Sequence, residues 1–265
     1  MFITLANING TLSDITRYTK KLGQDSKELS FTSGDALYIG SKLKFNHAYV
    51  NSTVKPLASV GFNIKLWDGQ EFSDVARTID ETDGLTADGI IEFSPNSKSS
   101  WDNADTEKIA EIESITYYGM YWIKVELTSA DTVTLDYVGH KFSNDFDLFS
   151  EHPELNNPSF FAYFNQTDFT KQAILAAELI EKKLIKLGYV DSAAQVLQWE
   201  DLTLASVSKT AQLIYTSFGN TYTDNVKTLS NEFTSRVDTS FPIVDTNNTA
   251  IKDNNQKITG GLLYR

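Results

Sequence analysis

The chain has 265 residues, is 41% hydrophobic and 12% aromatic, and carries a formal net charge of -12. That length supplies one large or two ordinary domains with a real core, which argues against a disordered chain or a small stapled scaffold. Cysteine is absent, so disulfides, Cys-ligated zinc, iron-sulfur clusters and thiol nucleophiles are excluded, and the acidity disfavours a surface that gathers nucleic-acid phosphates. No apolar run approaches the roughly 18 residues of a membrane helix, and the first residues lack the basic start of a signal peptide; a soluble, unprocessed chain without membrane contact is expected.

Residues 1–30 admit two readings side by side: Phe2 to Ile8 as a strand, and Leu12, Ile15, Tyr18 and Leu22 as one face of a short helix. Ala36 to Phe45 and Ala48 to Val50 then read as strands. Val60, Phe62, Ile64 and Leu66 alternate with polar or small residues, the period-two pattern of a strand with one buried face. Asp68-Gly69 comes next, a hairpin signal that makes Glu71 to Val75 the return strand. Ile90 to Phe93 is another strand. Tyr121, Ile123, Val125 and Leu127 alternate as well, and Val133, Leu135 and Tyr137 repeat the pattern after Ser129-Ala130-Asp131, so these two strands are expected to pair as a hairpin. Many short strands without helical crossovers predict an antiparallel sandwich or barrel.

The chain changes character near residue 150. Up to there it carries 22 acidic and 13 basic residues, a balance of -9; beyond it, 13 and 10, a balance of -3. Glu151 to Pro158, with Pro153, Pro158 and an Asn pair, reads as the linker. Past it the apolar positions recur at helical spacing. Phe169, Ala173, Ala176, Ala177, Ile180, Leu184 and Leu187 form one stripe that starts after an N-cap of Thr167, with Asp168 in the first turn, and stops at Gly188. A second stripe runs from Asp201 to Phe218 and a third from Thr223 to Thr239. Three stripes that cannot be buried alone predict a small helical bundle. After Phe241-Pro242 a polar spacer ends in Ile258-Thr259-Gly260-Gly261-Leu262-Leu263-Tyr264-Arg265. The expected fold class is therefore α+β: an antiparallel β-sandwich over 1–150, a helical bundle over 151–241 and an extended arm over 242–265.

Chemistry is sparse. His47, His140 and His152 have no metal-face spacing, and there is no nucleophile elbow, phosphate-binding loop or dinucleotide fingerprint. Asp80-Glu81-Thr82-Asp83-Gly84 with Asp88 offers oxygen ligands, as any solvated hairpin loop does. Asp245, Asn247, Thr249, Asp253 and Gln256 approach a calcium-loop spacing but lack its glycine and its closing acid. Trp67, Trp101, Tyr117, Tyr118, Tyr121 and Trp122 are either core and interface residues or a sugar-stacking platform. No catalytic residue, metal site or cofactor is expected.

The helical segments Ala173 to Leu187, Ala211-Gln212-Leu213-Ile214-Tyr215 and Phe233, with the tail from Ile258 to Arg265 after them, resemble the head-to-tail connector, or adaptor, proteins of tailed bacteriophages. The resemblance covers about residues 160–265 and is one of pattern, without a diagnostic motif. It implies a structural, non-enzymatic virion protein of the neck, present in the host cytoplasm during assembly. Such proteins form a homo-oligomeric ring, a dodecamer by family expectation, against the portal and other neck or tail proteins, and DNA passes through without specific binding. The resemblance also implies an arm that inserts at the portal, which makes Ile258, Leu262, Leu263 and Tyr264 the candidate partner-binding residues. Ala36-Leu37-Tyr38-Ile39-Gly40, Leu66-Trp67-Asp68-Gly69 and Tyr121-Trp122-Ile123-Lys124-Val125 are similar to sandwich modules of phage virion proteins. The large N-terminal sandwich departs from the small adaptors, and its role would be decoration or capsid contact. A carbohydrate-binding tail or baseplate protein is the alternative reading, and a carboxylate-dependent glycosidase the third class.

Overall fold

The computed structural model describes residues 1–96, 100–240 and 242–252. The chain is mixed α+β, with antiparallel sheets in its N-terminal part and helices in its C-terminal part, and among the described residues no sheet closes into a barrel. It divides into two compact units, Met1–Gly139 together with Asn247–Ile251, and His140–Thr246 together with Lys252. Among the described residues no helix is long and apolar enough to cross a membrane.

In the first unit the strands are β1 (Ile3–Ile8), β2 (Thr11–Asp14), β3 (Lys27–Phe31), β4 (Ala36–Ser41), β5 (His47–Val54), β6 (Phe62–Trp67), β7 (Phe72–Asp74), β8 (Arg77–Asp80), β9 (Gly89–Ser94), β10 (Asn103–Ala104), β11 (Met120–Leu127) and β12 (Asp131–Gly139), with one short helix α1 (Thr16–Thr19). One sheet runs β2-β1-β4-β11-β6-β7, with β10 also paired to β11; the other runs β3-β12-β5-β9-β8. Asn9 and Gly10 both take positive φ, 50° and 74°, the requirement of the tight hairpin turn whose twist matches its strands. Residues 11–14 are thereby a strand and not part of a helix. The hairpin expected at Asp68-Gly69 forms: Trp67 faces Phe72, and Asp68 Oδ1 accepts the N–H groups of Gln70 (3.0 Å) and Glu71 (2.9 Å).

The expected pairing of Tyr121–Leu127 with Val133–Tyr137 does not occur. β11 lies between β4 and β6 in one sheet, and β12 between β3 and β5 in the other. Residues 128–130 carry the chain from sheet to sheet, with Thr128 N–H donating to Gly61 O at 2.8 Å and Leu127 N–H to Asp35 O at 2.8 Å. Both edges of each strand are taken by partners distant in sequence, which a local turn signal does not encode.

One face of the first sheet is sealed by the loop after β10. Ile109 and Ile112 pack with Leu5, Tyr38, Trp67, Met120 and Trp122. The loop is clamped by Glu111, which accepts a hydrogen bond from the Tyr38 hydroxyl and pairs with Lys124 at 2.7 Å. Lys124 also meets Glu126 at 3.3 Å, and Lys65 meets Glu126 at 2.8 Å.

The second unit holds α2 (Asp145–Glu151), α3 (Pro158–Phe164), α4 (Thr170–Lys186), α5 (Thr203–Ser217) and α6 (Thr223–Thr239). The three long helices fall on the three predicted stripes. Ala177, Ile180 and Leu184 of α4, Ala205 of α5, and Phe233 and Val237 of α6 form one buried cluster with Val196 and Val244. Ala205, Ser206, Ser208, Thr210 and Ala211 are all buried on α5, so the central helix is narrow and its neighbours approach closely. Gly188 and Gly219, at φ 73° and 66°, stand just past the ends of α4 and α5 in the left-handed conformation that glycine adopts without strain. Pro153 and Pro158, expected in the linker, stand at the first turn of a 3-10 segment (Pro153–Leu155) and of α3, where a missing N–H costs nothing. Leu155 is fully buried.

Residues 243–252 continue the packed structure. Val244 forms an antiparallel bridge with Val196, and Asp245 N–H donates to Gln195 O at 2.7 Å. Ile243, Val244 and Asp245 are buried. Further on, Asn248 belongs to the first unit, its Oδ1 accepting Lys44 N–H at 3.2 Å and its Nδ2 donating to the Tyr121 hydroxyl at 2.8 Å.

Candidate interaction surface

The feature of the helical unit that periodicity does not reveal is the aromatic density of residues 146–164. α2 begins with a complete capping box: Asn144 Oδ1 accepts Asp147 N–H at 3.0 Å, and Asp147 Oδ2 accepts Asn144 N–H at 2.9 Å. This lock fixes where Phe146 and Phe149 point, three residues apart on one side of the helix. α3 is started by Pro158 and by Asn157, whose Oδ1 accepts Ser159 N–H at 2.9 Å. It stops at Asn165 in the left-handed conformation, φ 50°. Between the caps stand Phe160, Phe161, Tyr163 and Phe164, and no residue of α3 is fully buried.

Phe149, Phe160, Phe161, Tyr163 and Phe164 form a continuous aromatic network with Phe169 and Phe218. Phe161 stacks on Phe169 with centroids 4.8 Å apart and meets Phe149 edge-on at 6.1 Å. Phe160 packs against Phe218 at 5.0 Å and Tyr215 at 6.0 Å, and Tyr163 lies 4.2 Å from Phe218. The inner rings join a core with Leu148, Leu155, Val207, Ile214 and Leu229. Tyr163 of this network is 56% exposed, and Phe146 on α2 is 80% exposed. Exposed rings grouped on short, capped helices are the chemistry of a protein-binding surface, since each contributes a large apolar area with little side-chain entropy to lose.

An acidic rim borders the network. Glu154 accepts a hydrogen bond from the Tyr215 hydroxyl at 2.7 Å and lies 3.5 Å from His152 Nδ1. Burial works to raise the Glu154 carboxyl, but the bonds from Tyr215, its own backbone and His152 outweigh it and hold the carboxyl below its ordinary value. Asp145 accepts Phe169 N–H, at 3.2 Å to each oxygen. Here burial wins and raises the carboxyl.

The other candidate residues are placed as follows. Ile258, Leu262, Leu263 and Tyr264 lie outside the described residues, as do Asp253 and Gln256 of the calcium-like spacing. Trp67, Trp101 and Trp122 are 6%, 3% and 0% exposed, so the indoles weighed as sugar platforms are core, and Trp101 Nε1 donates to Trp122 O at 3.2 Å. The loop at Asp80 uses its own oxygens: Asp80 Oδ1 accepts Thr82 N–H (2.8 Å) and hydroxyl (2.6 Å), Oδ2 accepts Gly84 N–H (2.8 Å), and Asp88 pairs with Lys55 at 2.9 Å. Among the described residues no three His, Asp or Glu side chains are grouped to hold a metal ion. The acid pair Glu111 and Glu126 is tied to lysines, and the hydrogen bond from Lys65 holds the Glu126 carboxyl below its ordinary value, the opposite of what a glycosidase acid needs. Neither a protein-family model nor a curated protein sequence matches this chain.

Proposed function

We propose that the protein is a structural virion component, a head-to-tail connector that assembles as a homo-oligomeric ring at the portal of a tailed phage. In this reading the two antiparallel sheets form a β-sandwich with a decorating or capsid-contact role, the helices form the bundle that builds the ring, and the arm beyond Lys252 reaches the portal through Ile258, Leu262, Leu263 and Tyr264. The observation that carries the reading is the aromatic surface of α2 and α3, with Phe146 80% and Tyr163 56% exposed. Covering such a surface is favourable only if another protein supplies the cover. A second copy is the occupant that the ring requires, and DNA passes the assembly without being held.

Two measurements test this. Sedimentation of the full chain should give a closed oligomer that Phe146→Ser reduces to monomers with an unchanged far-UV CD spectrum. Truncation after Lys252, and Leu262→Asp with Leu263→Asp, should leave the oligomer intact but abolish co-assembly with a portal-type partner. Truncation after Pro242 is the wrong tool, because it would remove the buried Ile243, Val244 and Asp245. A chain that stays monomeric at all concentrations and is indifferent to the aromatic substitution overturns the ring reading.

A further inference from the structure

An open cleft of about 380 Å³ lies beside the β1–β2 hairpin, lined by Ser13, Asp14, Ile15, Arg17, Tyr18 and Lys27. Its walls carry two chemistries. Two cations of the lining converge on a single aromatic ring: the Arg17 guanidinium carbon is 4.3 Å from the Tyr18 centroid and Lys27 Nζ is 5.9 Å from it. Arg17 also donates to the Tyr18 hydroxyl. Neither Arg17 nor Lys27 forms an ion pair among the described residues. In a chain of net charge -12, where carboxylates outnumber cations, Arg17 and Lys27 bring two cations without ion pairs to one cleft, with Asp25 as a nearby carboxylate that favours charged Arg17.

Asp14, also in the lining, is held by two donors. Thr16 N–H gives to Oδ1 at 2.9 Å and the Tyr117 hydroxyl to Oδ2 at 2.6 Å. A carboxylate accepts about four hydrogen bonds, so the fixed Asp14 keeps lone pairs for a further donor. Ser13, whose hydroxyl donates to Ala6 O at 3.3 Å, adds an acceptor oxygen beside it. A small inorganic anion would satisfy the cations but would meet Asp14 as a like charge. A neutral sugar would satisfy Asp14 but leave the cations without a counter-charge. The two sets of groups together suit a molecule that carries both a carboxylate and hydroxyls, and the volume falls at the lower end of the roughly 300–1,000 Å³ typical of small-molecule sites.

We propose that this cleft binds an acidic saccharide, a polyhydroxylated ring bearing a carboxylate, with Arg17 and Lys27 taking the carboxylate and Asp14 and Ser13 the hydroxyls. The site is independent of the aromatic surface of the helical unit, so its test does not depend on the connector reading. Calorimetry or saturation-transfer NMR on the full chain would use three probes: a hexuronic acid disaccharide, the matching neutral disaccharide and inorganic phosphate. The uronate should bind at least tenfold more tightly than either of the others and weaken as salt rises. Arg17→Gln with Lys27→Gln should lower uronate affinity at least tenfold at unchanged melting temperature, Arg17 being exposed. Asp14→Asn should narrow the preference for uronate over phosphate. Equal binding of the neutral sugar, equal binding of phosphate, no uronate binding at millimolar concentration, or an undiminished affinity in the double variant would each overturn the proposal.

Discussion

Gly40→Ala probes the registry of the first sheet. Gly40 lies on β4 directly opposite Trp122 of β11, and a Cβ built there would stand 2.6 Å from Trp122 Cζ3 and 2.8 Å from Cε3 and Cη2. Ordinary carbon contacts are about 3.5–4.0 Å, so the overlap is roughly 1 Å. The indole cannot retreat: it is 0% exposed and roofed by Ile109 and Ile112, in an interior packed as densely as an organic crystal. Overpacking of this kind costs about 1–3 kcal/mol, which lowers the melting temperature of the sheet unit by roughly 2–12 °C. Trp67, Trp101 and Trp122 belong to that unit, so urea unfolding followed by Trp fluorescence reports mainly on it. The specific check is a double-mutant cycle. In a Trp122→Leu background the indole is gone, and Gly40→Ala should cost less than about 0.5 kcal/mol. An equal cost in both backgrounds, or none in the wild type, would refute the face-to-face placement of Gly40 and Trp122.

The packing sets three further outcomes. Ile180→Ala, at a fully buried position of α4, should destabilise the helical unit by about 2–5 kcal/mol in far-UV CD melts. Burial raises the Asp145 carboxyl, so its folded-state value exceeds the unfolded one; the stability it contributes is present below the ordinary Asp range and lost as pH rises through the folded value. Asp145→Asn, which keeps an acceptor for Phe169 N–H, should therefore melt higher than wild type at pH 7, with the gain vanishing below about pH 4; a gain that persists in acid would show another cause. Burial, then the hydrogen bond to Glu111, also raises the Tyr38 phenol. The same sign applies, so the sheet unit should lose stability above the ordinary Tyr value of about 10, and pH-dependent melts of Tyr38→Phe should lack that alkaline loss while costing about 1 kcal/mol at neutral pH.

Much of the fold is legible locally. The stripe through Ala173, Ile180 and Leu184 specifies α4, and Gly188 its end, because a helix that must bury one face needs 3.6-residue spacing and a left-handed stop whatever surrounds it. The alternation through Ile64 and Leu66 with Asp68-Gly69 likewise specifies β6, its turn and its partner. Asn9-Gly10 carries an equally strong turn signal, and as a hairpin it resolves the ambiguity of residues 1–30 in favour of strands on both sides. The density of Phe and Tyr between residues 146 and 164 is visible as composition, but Pro153 and Pro158 point equally to a linker. Prolines at the first turn of a helix and prolines in a linker look alike in sequence.

What the sequence determined by itself was therefore the class of the long, strongly periodic segments and the succession of strands by helices along the chain, since both depend on periodicity within one segment. Tertiary structure alone decided which strands pair, that β11 and β12 enter different sheets, and which aromatic residues face water. Trp122 and Phe146 are both large apolar residues in strongly patterned segments. One is sealed beneath the loop of Ile109 and Ile112 and the other stands 80% exposed, because burial depends on what distant chain covers a side chain, and that partner is named nowhere in the residue's own neighbourhood. The same holds for the cleft at Tyr18: Arg17 and Lys27 meet on one ring only because the turn at Asn9-Gly10, α1 and β3 fold the chain back past it.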